Sequence, residues 1–461
     1  MKNSEIKIKM PINVKKILSI LYFEGCAGYI VGGCVRDSIL GLIPKDWDIC
    51  TNCIPEEMLH IFSSFKVVLT GFKHGTVTVV IGGESYEITT YRIDGDYIDG
   101  RHPEEVIFTN KLKEDLKRRD FTINAMAYND RVGLIDYYGG LQDIRDKKIR
   151  CVGDPVERFR EDYLRMLRGV RFATQLGYQL ESGTFDATKE LCGNIINISV
   201  ERIREELNEI LLSPAPSVGF RLLEATGLLK YIMPELETCI GFEQHNPYHH
   251  EDVFNHTLSV VDNTESDLIL RLAALFHDIG KPETFVLDAR GVGRFFNHSV
   301  VGAEIAEDIM KRLKYDSKSI EQVAILVKEH MSRYENLSDK AMKRFINRVG
   351  QDNINRLFKL QVADIEAIAE EDEIDVRGII KLKGEVERII NEKQPLTVKD
   401  LEIDGYDLME LGVPEGKLIG TILNELLETV LEDPDTNKKD TLIKIAREKL
   451  NLQERKLGVQ F

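Results

Sequence analysis

What the sequence lacks narrows its class before any motif is considered. No apolar run in its 461 residues approaches the roughly 18–20 that a bilayer-crossing helix needs, which excludes a transmembrane helix, and no membrane partner is expected. The opening MKNSEIKIKMPINVKK has no apolar stretch of the secretory kind, so the expected location is the cytoplasm. Cysteine is sparse, seven in all, an odd number that fits reduced thiols better than a disulfide framework. Positive charge is outnumbered, 61 Lys and Arg against 77 Asp and Glu, for a net charge of −16. That argues against a general coat for nucleic acid, but a local basic groove is compatible with it, because binding depends on where charge sits. Basic residues do cluster, at KLKEDLKRRD (111–120) and across 145–171, while AIAEEDEID near residue 370 is acidic.

Hydrophobic residues make up 43% and charged residues 30%, enough apolar surface for real cores and a soft expectation of about three domains. Residues 12–24 read as an amphipathic helix, and GYIVGG, DWDICT, KVVLT, GTVTVVIGG and SYEITTYRI read as strands bounded by glycines. After residue 113 the strand signal nearly disappears, apart from RVGLIDYY and KKIRCV. ERFREDYLRMLRGVRFATQLG and SVERIREELNEILLS have helical spacing, as does most of the chain beyond residue 216. The expected fold is multidomain and mainly α: an α/β head with a small mixed sheet (1–150), a helical neck (151–215), a helical body (216–390) and a helical tail (391–461).

The sharpest chemical signal is GGCVRDSILGLIPKDWDICT (32–51). Asp46 and Asp48 stand two apart at the start of an expected strand, where alternation sets both carboxylates on one face to grip a hard cation such as Mg²⁺. Glu87, in SYEITTYR, is the candidate third carboxylate, though an exposed strand glutamate fits the same pattern. Gly32 and Gly33 permit close backbone approach to a phosphate, with Arg36 and Lys45 adding positive charge. Three carboxylates and a phosphate-binding turn suit a two-metal displacement with a pyrophosphate leaving group.

These residues resemble the bacterial-type tRNA nucleotidyltransferases (CCA-adding enzymes) and the related poly(A) polymerases, members of the DNA polymerase β-like superfamily. GGCVRD…DWDICT looks like their first motif, RRDFTINAMAYN (118–129) their second and DYYGGLQDI (136–144) their third. EDYLR (161–165) looks like the nucleotide-selecting motif and ERIREE (201–206) the last. The resemblance implies Asp46 and Asp48 as Mg²⁺ ligands, Gly33 and Arg36 at the triphosphate, and Arg119 in the nucleotide pocket. It implies Asp162 and Arg165 as readers of the incoming base, with Arg168 and Arg171 contributing to nucleotide binding. It also associates an intact 94–104 loop, RIDGDYIDGRHPE in context, with complete CCA addition. The tail stretch LEIDGYDLMELGVPEGKLIG resembles the family's tail, with tRNA as the expected partner.

The base-reading idea has its own physics. Asp162 and Arg165, expected i and i+3 on one helix, lean over one patch. The carboxylate accepts from an exocyclic amine and the guanidinium donates to a ring nitrogen or carbonyl. Cytosine and adenine offer that polarity, whereas guanine and uracil offer the reverse and leave polar groups unpaired.

A second constellation lies in the body. His256, His277-Asp278, His298, His330 and Asp364 follow the order of the HD phosphohydrolases, and FHDIGK (276–281) looks like that signature. Imidazoles with carboxylates suit a transition metal that activates water against a phosphate. His249 and His250 read as loop residues. The expected activity is therefore CCA addition or repair at the tRNA 3′ end from CTP and ATP, with an added phosphatase or 2′,3′-cyclic phosphodiesterase function. Poly(A) synthesis, A-addition alone, HD hydrolysis as the main activity and noncatalytic RNA binding are the alternatives.

Overall fold

The computed structural model describes residues 6–95, 106–245, 251–332, 334, 337–368 and 375–457. Most of the 94–104 loop, and His249 and His250, lie outside them. The chain forms two compact units, Met1–Glu237 with Arg312–Lys314, and Thr238–Lys311 with Tyr315–Phe461. No described helix is long and apolar enough to cross a membrane.

The first unit opens with α1 (Ile12–Phe23), whose Val14, Ile17 and Leu21 recur at helical spacing and are buried. Then come β1 (Gly28–Val31), α2 (Gly33–Ile39), β2 (Ile49–Thr51), α3 (Pro55–Ile61), β3 (Lys66–Val68), β4 (Thr76–Ile81) and β5 (Glu84–Thr90). A two-stranded ribbon, β6 (Arg92–Asp94) and β7 (Val106–Phe108), precedes α4 (Leu112–Lys117), β8 (Met126–Asn129), β9 (Gly133–Asp136) and α5 (Gly140–Arg145). The main sheet has seven strands in the order β3-β4-β5-β2-β1-β8-β9, with β2 parallel to β5 and its other pairs antiparallel. In β4, Val77, Val79 and Ile81 turn inward while the residues between them are half-buried, as strand alternation requires.

Residues 151–215, the expected neck, hold α6 (Pro155–Glu161), α7 (Leu164–Leu176), α8 (Ser182–Leu191) and α9 (Val200–Leu211), and the first unit continues through α10 (Pro216–Ala225) and the single-turn helices α11 (Leu229–Ile232) and α12 (Pro234–Glu237). The sequence reads 157–177 as one helix, but the structure breaks it: Asp162 is extended, at φ −151°, and its carboxylate accepts from the Leu164 amide at 3.1 Å. Strand β8 also departs from the expected near-absence of strands there. Its Met and Ala favour helices, but three of its four residues are buried between β1 and β9, and tertiary packing overrides propensity.

The second unit contains α13 (Val253–Asp262), α14 (Leu268–Phe276), α15 (Lys281–Thr284), a small hairpin (285–287 with 293–295), α16 (His298–Arg312), α17 (Ser317–Glu329), α18 (Asp339–Val349) and α19 (Gln351–Ile368). Then follow α20 (Arg377–Asn391), α21 (Gly405–Glu410), α22 (Lys417–Glu432) and α23 (Lys439–Leu457). Leu408, Ile422, Leu426, Val430 and Leu442 form a small core of their own in the tail.

One expectation about cysteine is overturned. Cys26 and Cys53 are joined in a disulfide, and Cys34, Cys50, Cys151, Cys192 and Cys239 are free. Cys50 and Cys53 stand at C-x-x-C spacing, yet Cys50 is enclosed within β2 and the bond runs across the strands to Cys26.

Candidate active site and candidate metal centre

The Val31 amide donates to the Asp48 carbonyl at 3.0 Å, so the glycine turn leaves β1 where the aspartate pair enters β2. Gly32 has φ 82°, and a Cβ there would stand 3.0 Å from Arg119 Nη1 and 3.9 Å from Asp48 Oδ2. Asp46 and Asp48 do not open the strand as expected. They lie in the irregular segment before Ile49, with Asp46 exposed and Asp48 half-buried. β2 runs parallel to β5 with Ile49 opposite Ile88, and the same register sets Asp48 opposite the exposed Glu87. Burial pushes the Asp48 carboxyl above its usual range, Arg119 opposes this, and the carboxylates of Asp46 and Glu87 add to it. Repulsion among three oxygen-donor groups is what a hard divalent cation relieves, so the residues fit Mg²⁺.

The arginines expected near the triphosphate are held in a buried relay. Arg36 donates from Nη1 to Asn124 at 2.7 Å and from Nε to Asp37 at 2.8 Å, and its guanidinium lies 4.9 Å from the Phe172 ring. Asn124 donates to Asp120 at 3.1 Å, and Asp120 accepts from Arg168 Nε and Nη2 at 2.9 and 2.7 Å. Burial favours the neutral acid at Asp120, but the Arg168 charge and these hydrogen bonds hold it well below the usual carboxylate range. Arg168 also stands 3.8 Å from Glu206, and Arg171 pairs with the same carboxylate at 2.9 Å. Arg119 lies 3.6 Å from Asp115. Lys45 is exposed and stands 3.8 Å from Glu209, with no contact to the glycine turn among the bonds described.

Asp162 and Arg165 do not share a helix. Asp162 ends α6 and Arg165 belongs to the first turn of α7, with Arg165, Arg168 and Arg171 on the expected i, i+3 row. Arg202 on α9 grips both Asp162 oxygens, at 2.7 and 3.3 Å. Arg165 pairs with Glu161 and donates to the carbonyls of Arg158 at 3.0 Å and Arg118 at 3.2 Å. Asp120, Asn124, Arg202 and Glu206, which the sequence does not single out, hold these arginines and Asp162 in place. Each lies inside a quoted motif, RRDFTINAMAYN or ERIREE, but its partner stands on another element, which spacing does not reveal. The basic clusters at 111–120 and 145–171 are accordingly not an open groove throughout, because their arginines are largely paired internally.

In the second unit all six expected residues converge. His256 Nε2 lies 3.3 Å from His277 Nε2, 3.5 Å from Asp278 Oδ2 and 3.2 Å from Asp364 Oδ1. His298 Nε2 lies 3.3 Å from His330 Nε2 and 3.4 Å from Asp278 Oδ1, which is 3.8 Å from His330. The donors thus sort into two groups, His256–His277–Asp278 and Asp278–His298–His330, sharing one carboxylate. The Nδ1 atoms of His277, His298 and His330 face the carbonyls of Ala274, Phe295 and Val327 at 2.7–2.8 Å. Donation from Nδ1 leaves the Nε2 lone pair aimed into the cluster, as a metal ligand requires. Burial pulls His330 down to about 4 and lowers His298 as well, which favours neutral imidazoles there, whereas at His277 the pull of burial is outweighed by the Asp278 and Asp364 carboxylates, which raise it. Gly280 makes the close approach possible, since a Cβ there would collide with the His298 carbonyl. Lys281, buried, donates to Gln244 at 2.7 Å and stands 2.6 Å from Asp278.

Three family models match successive parts of the chain: the Poly A polymerase head domain (residues 28–150), the probable RNA and SrmB-binding site of polymerase A (177–240) and the HD domain (248–368). The CCA-adding enzyme of Ligilactobacillus salivarius is 33% identical over 453 residues, covering 96% of this chain and 98% of its own. That of Levilactobacillus brevis is 32% identical over 429 residues, covering 93% and 96%. The crystal structure of Bacillus stearothermophilus CCA-adding enzyme in complex with CTP is similar at a TM-score of 0.68 and 27% identity, over 97% of this chain and 100% of that one. Identity above 30% across nearly the full length of both chains, on this fold, places the chain in the family of CCA-adding enzymes.

Proposed function

We propose that the protein adds or repairs the 3′-terminal CCA of tRNA without a nucleic-acid template, using CTP and ATP, in the cytoplasm. The observation that carries this reading is the meeting of Asp46, Asp48 and Glu87 beside the Gly32 turn and Arg119. The tRNA 3′ oxygen attacks the α-phosphorus, a new P–O bond forms, and the bond to the bridging oxygen breaks to release pyrophosphate. Mg²⁺ held by Asp46, Asp48 and Glu87 would supply acidification of that hydroxyl and charge for the leaving group. Gly33 and Arg36 seat the triphosphate, with Arg119 against the nucleotide. Asp162 and Arg165 read the base edge across the α6–α7 break, and Arg202, Arg168 and Arg171 fix the geometry. Residues 391–461 form the tail that meets the tRNA.

The convergence of six HD residues supports a second activity, hydrolysis of phosphomonoesters or 2′,3′-cyclic phosphates at a transition-metal centre. The test is extension of a tRNA lacking its last three nucleotides, one nucleoside triphosphate at a time, with Asp46→Ala and His277→Ala. CCA addition lost in Asp46→Ala and kept in His277→Ala is expected. Long A tails without C incorporation would make the chain a poly(A) polymerase, and addition surviving Asp46→Ala would refute the site.

A further inference from the structure

The Cys26–Cys53 bond belongs to no part of the proposed chemistry, and its position follows from strand register. β1 and β2 pair with Gly28 opposite Thr51, and the same register carried two residues outward sets Cys26 opposite Cys53. Their Cα atoms are 5.9 Å apart, a usual span for a disulfide. Between them the Ala27 amide donates to Asn52 Oδ1 at 2.7 Å, which holds the two strand ends together whether or not the sulfurs are bonded.

The two sulfurs differ in access. Cys53 is buried, and its carbonyl accepts from the Thr90 hydroxyl at 2.7 Å. Cys26 is half-buried and lines a cavity of about 610 Å³ between α1 and the β8–β9 turn. Lys15 and Arg131 stand on the wall of that cavity, Lys15 at 3.4 Å from Asp130 and Arg131 at 3.5 Å from the Tyr22 ring. Asp130 lines the same wall, so the lining carries two cations against one carboxylate, and a small reagent bearing carboxylates meets a net positive wall on the way to one sulfur of the pair. Four of the five remaining cysteines contrast with this, Cys192 alone being half-buried: Cys34, Cys50, Cys151 and Cys239 are buried, and burial pushes the thiols of Cys34, Cys151 and Cys239 up to about 12. Thiols of that kind are inert in exchange. A disulfide in a protein that works among reduced cytoplasmic thiols is, as a rule, a transient or sensing one.

We propose that Cys26–Cys53 is a thiol–disulfide exchange site for anionic low-molecular-weight thiols, entered at the Cys26 sulfur through this cavity. A small thiolate attacks Cys26 Sγ, a mixed disulfide forms, and Cys53 leaves as a thiolate that takes up a proton. A second small thiolate attacks the small-molecule sulfur of that mixed disulfide, forming the small disulfide and freeing the Cys26 thiolate. Two small thiols are oxidised and one protein disulfide is reduced. The reverse sequence, with the small disulfide as oxidant, closes the pair again.

The test equilibrates the native full-length chain in reduced and oxidised glutathione at a series of ratios. Acid quenching, alkylation under denaturing conditions and peptide mass spectrometry then assign each cysteine. The oxidised-to-reduced ratio of the Cys26–Cys53 pair should change about tenfold for each tenfold change in the ratio of oxidised glutathione to the square of reduced glutathione. Cys34, Cys50, Cys151 and Cys239 should stay reduced throughout. In Cys53→Ser, Cys26 should end as a mixed disulfide with glutathione. A pair that stays reduced at every ratio, a bond that persists in excess reduced glutathione, a Cys50–Cys53 bond, or Cys53→Ser protein in which Cys26 takes up no glutathione would each overturn the proposal. Nucleotide addition measured on the same samples reports separately on the transferase reading.

Discussion

Replacing Asp120 by asparagine keeps the side chain's shape and removes one negative charge from the centre of the first unit. Asp120 is 8% exposed; its Oδ2 receives both Arg168 bonds, and its Oδ1 receives the Phe121 amide at 2.8 Å and Asn124 at 3.1 Å. Removing one partner of a buried ion pair costs about 3–5 kcal/mol. Glu206, 3.8 Å from Arg168 Nη1, retains part of the compensation, so the lower end, about 3 kcal/mol, is expected. For a unit of this size that corresponds to a melting temperature lower by roughly 6–12 °C. The damage also reaches the active site, because Asn124 is the acceptor that holds Arg36, and KM for CTP and ATP should rise by about tenfold, or ~1.4 kcal/mol. pH supplies an independent readout. The folded carboxyl lies below its unfolded value, so its contribution is fully present above about pH 4 and is lost as pH falls beneath that. Wild type and Asp120→Asn should therefore differ fully down to about pH 4 and converge only progressively below it, with most of the difference still present at pH 3. Thermal unfolding from neutrality down through that range, with steady-state kinetics at neutral pH, checks both halves. A variant that melts within about 1 °C of wild type at pH 7, with KM unchanged, would show that the relay does not carry the load assigned to it.

Arg202→Ala should lower kcat/KM for both CTP and ATP by about 10- to 100-fold, the loss of hydrogen bonds to a charged group at ~1.5–3 kcal/mol. It should also raise incorporation of GTP and UTP; single-turnover assays with all four nucleotides check this, and unchanged discrimination would show that Asp162 reads the base without its partner. The salt dependence of tRNA binding should be moderate. Among 111–171 the exposed cations are Lys111, Lys113, Lys117, Arg131, Arg145, Lys147 and Arg160, so the log–log slope from this region should be no steeper than about −6. Fluorescence anisotropy from low to moderate salt measures it, and a markedly steeper slope would mean that the internally paired arginines exchange their carboxylates for phosphates.

Where residue types stand close together in sequence, the structure keeps them together: Asp46 and Asp48 lie beside the glycine turn. The Asp46–Asp48 pair, the glycine turn and His277-Asp278 rest on short motifs, His256, His298, His330 and Asp364 rest on their order along the chain, and the helices beyond residue 216 rest on periodicity. What the sequence concealed is partner choice. Nothing in EDYLR announces that the helix stops at Asp162, since no glycine or proline marks the stop. The break comes from a carboxylate that caps Leu164 and is drawn to Arg202, forty residues along the chain. The same holds for Asp120 with Arg168 and for Glu206 with Arg171, pairs set by the packing of α7 against α9 and of the neck against the head's second motif. Cys26 and Cys53 become neighbours only through the β1–β2 register, so cysteine counting alone favoured free thiols. A charged residue in a motif therefore has two candidate partners, ligand and protein, and only the fold says which carboxylate it already holds. In this chain the arginines nearest the Gly32 turn are held, and the carboxylates of Asp46 and Glu87 repel that of Asp48. Substrate and cation binding should accordingly be more sensitive to loss of the buried counter-charges than to loss of any surface lysine.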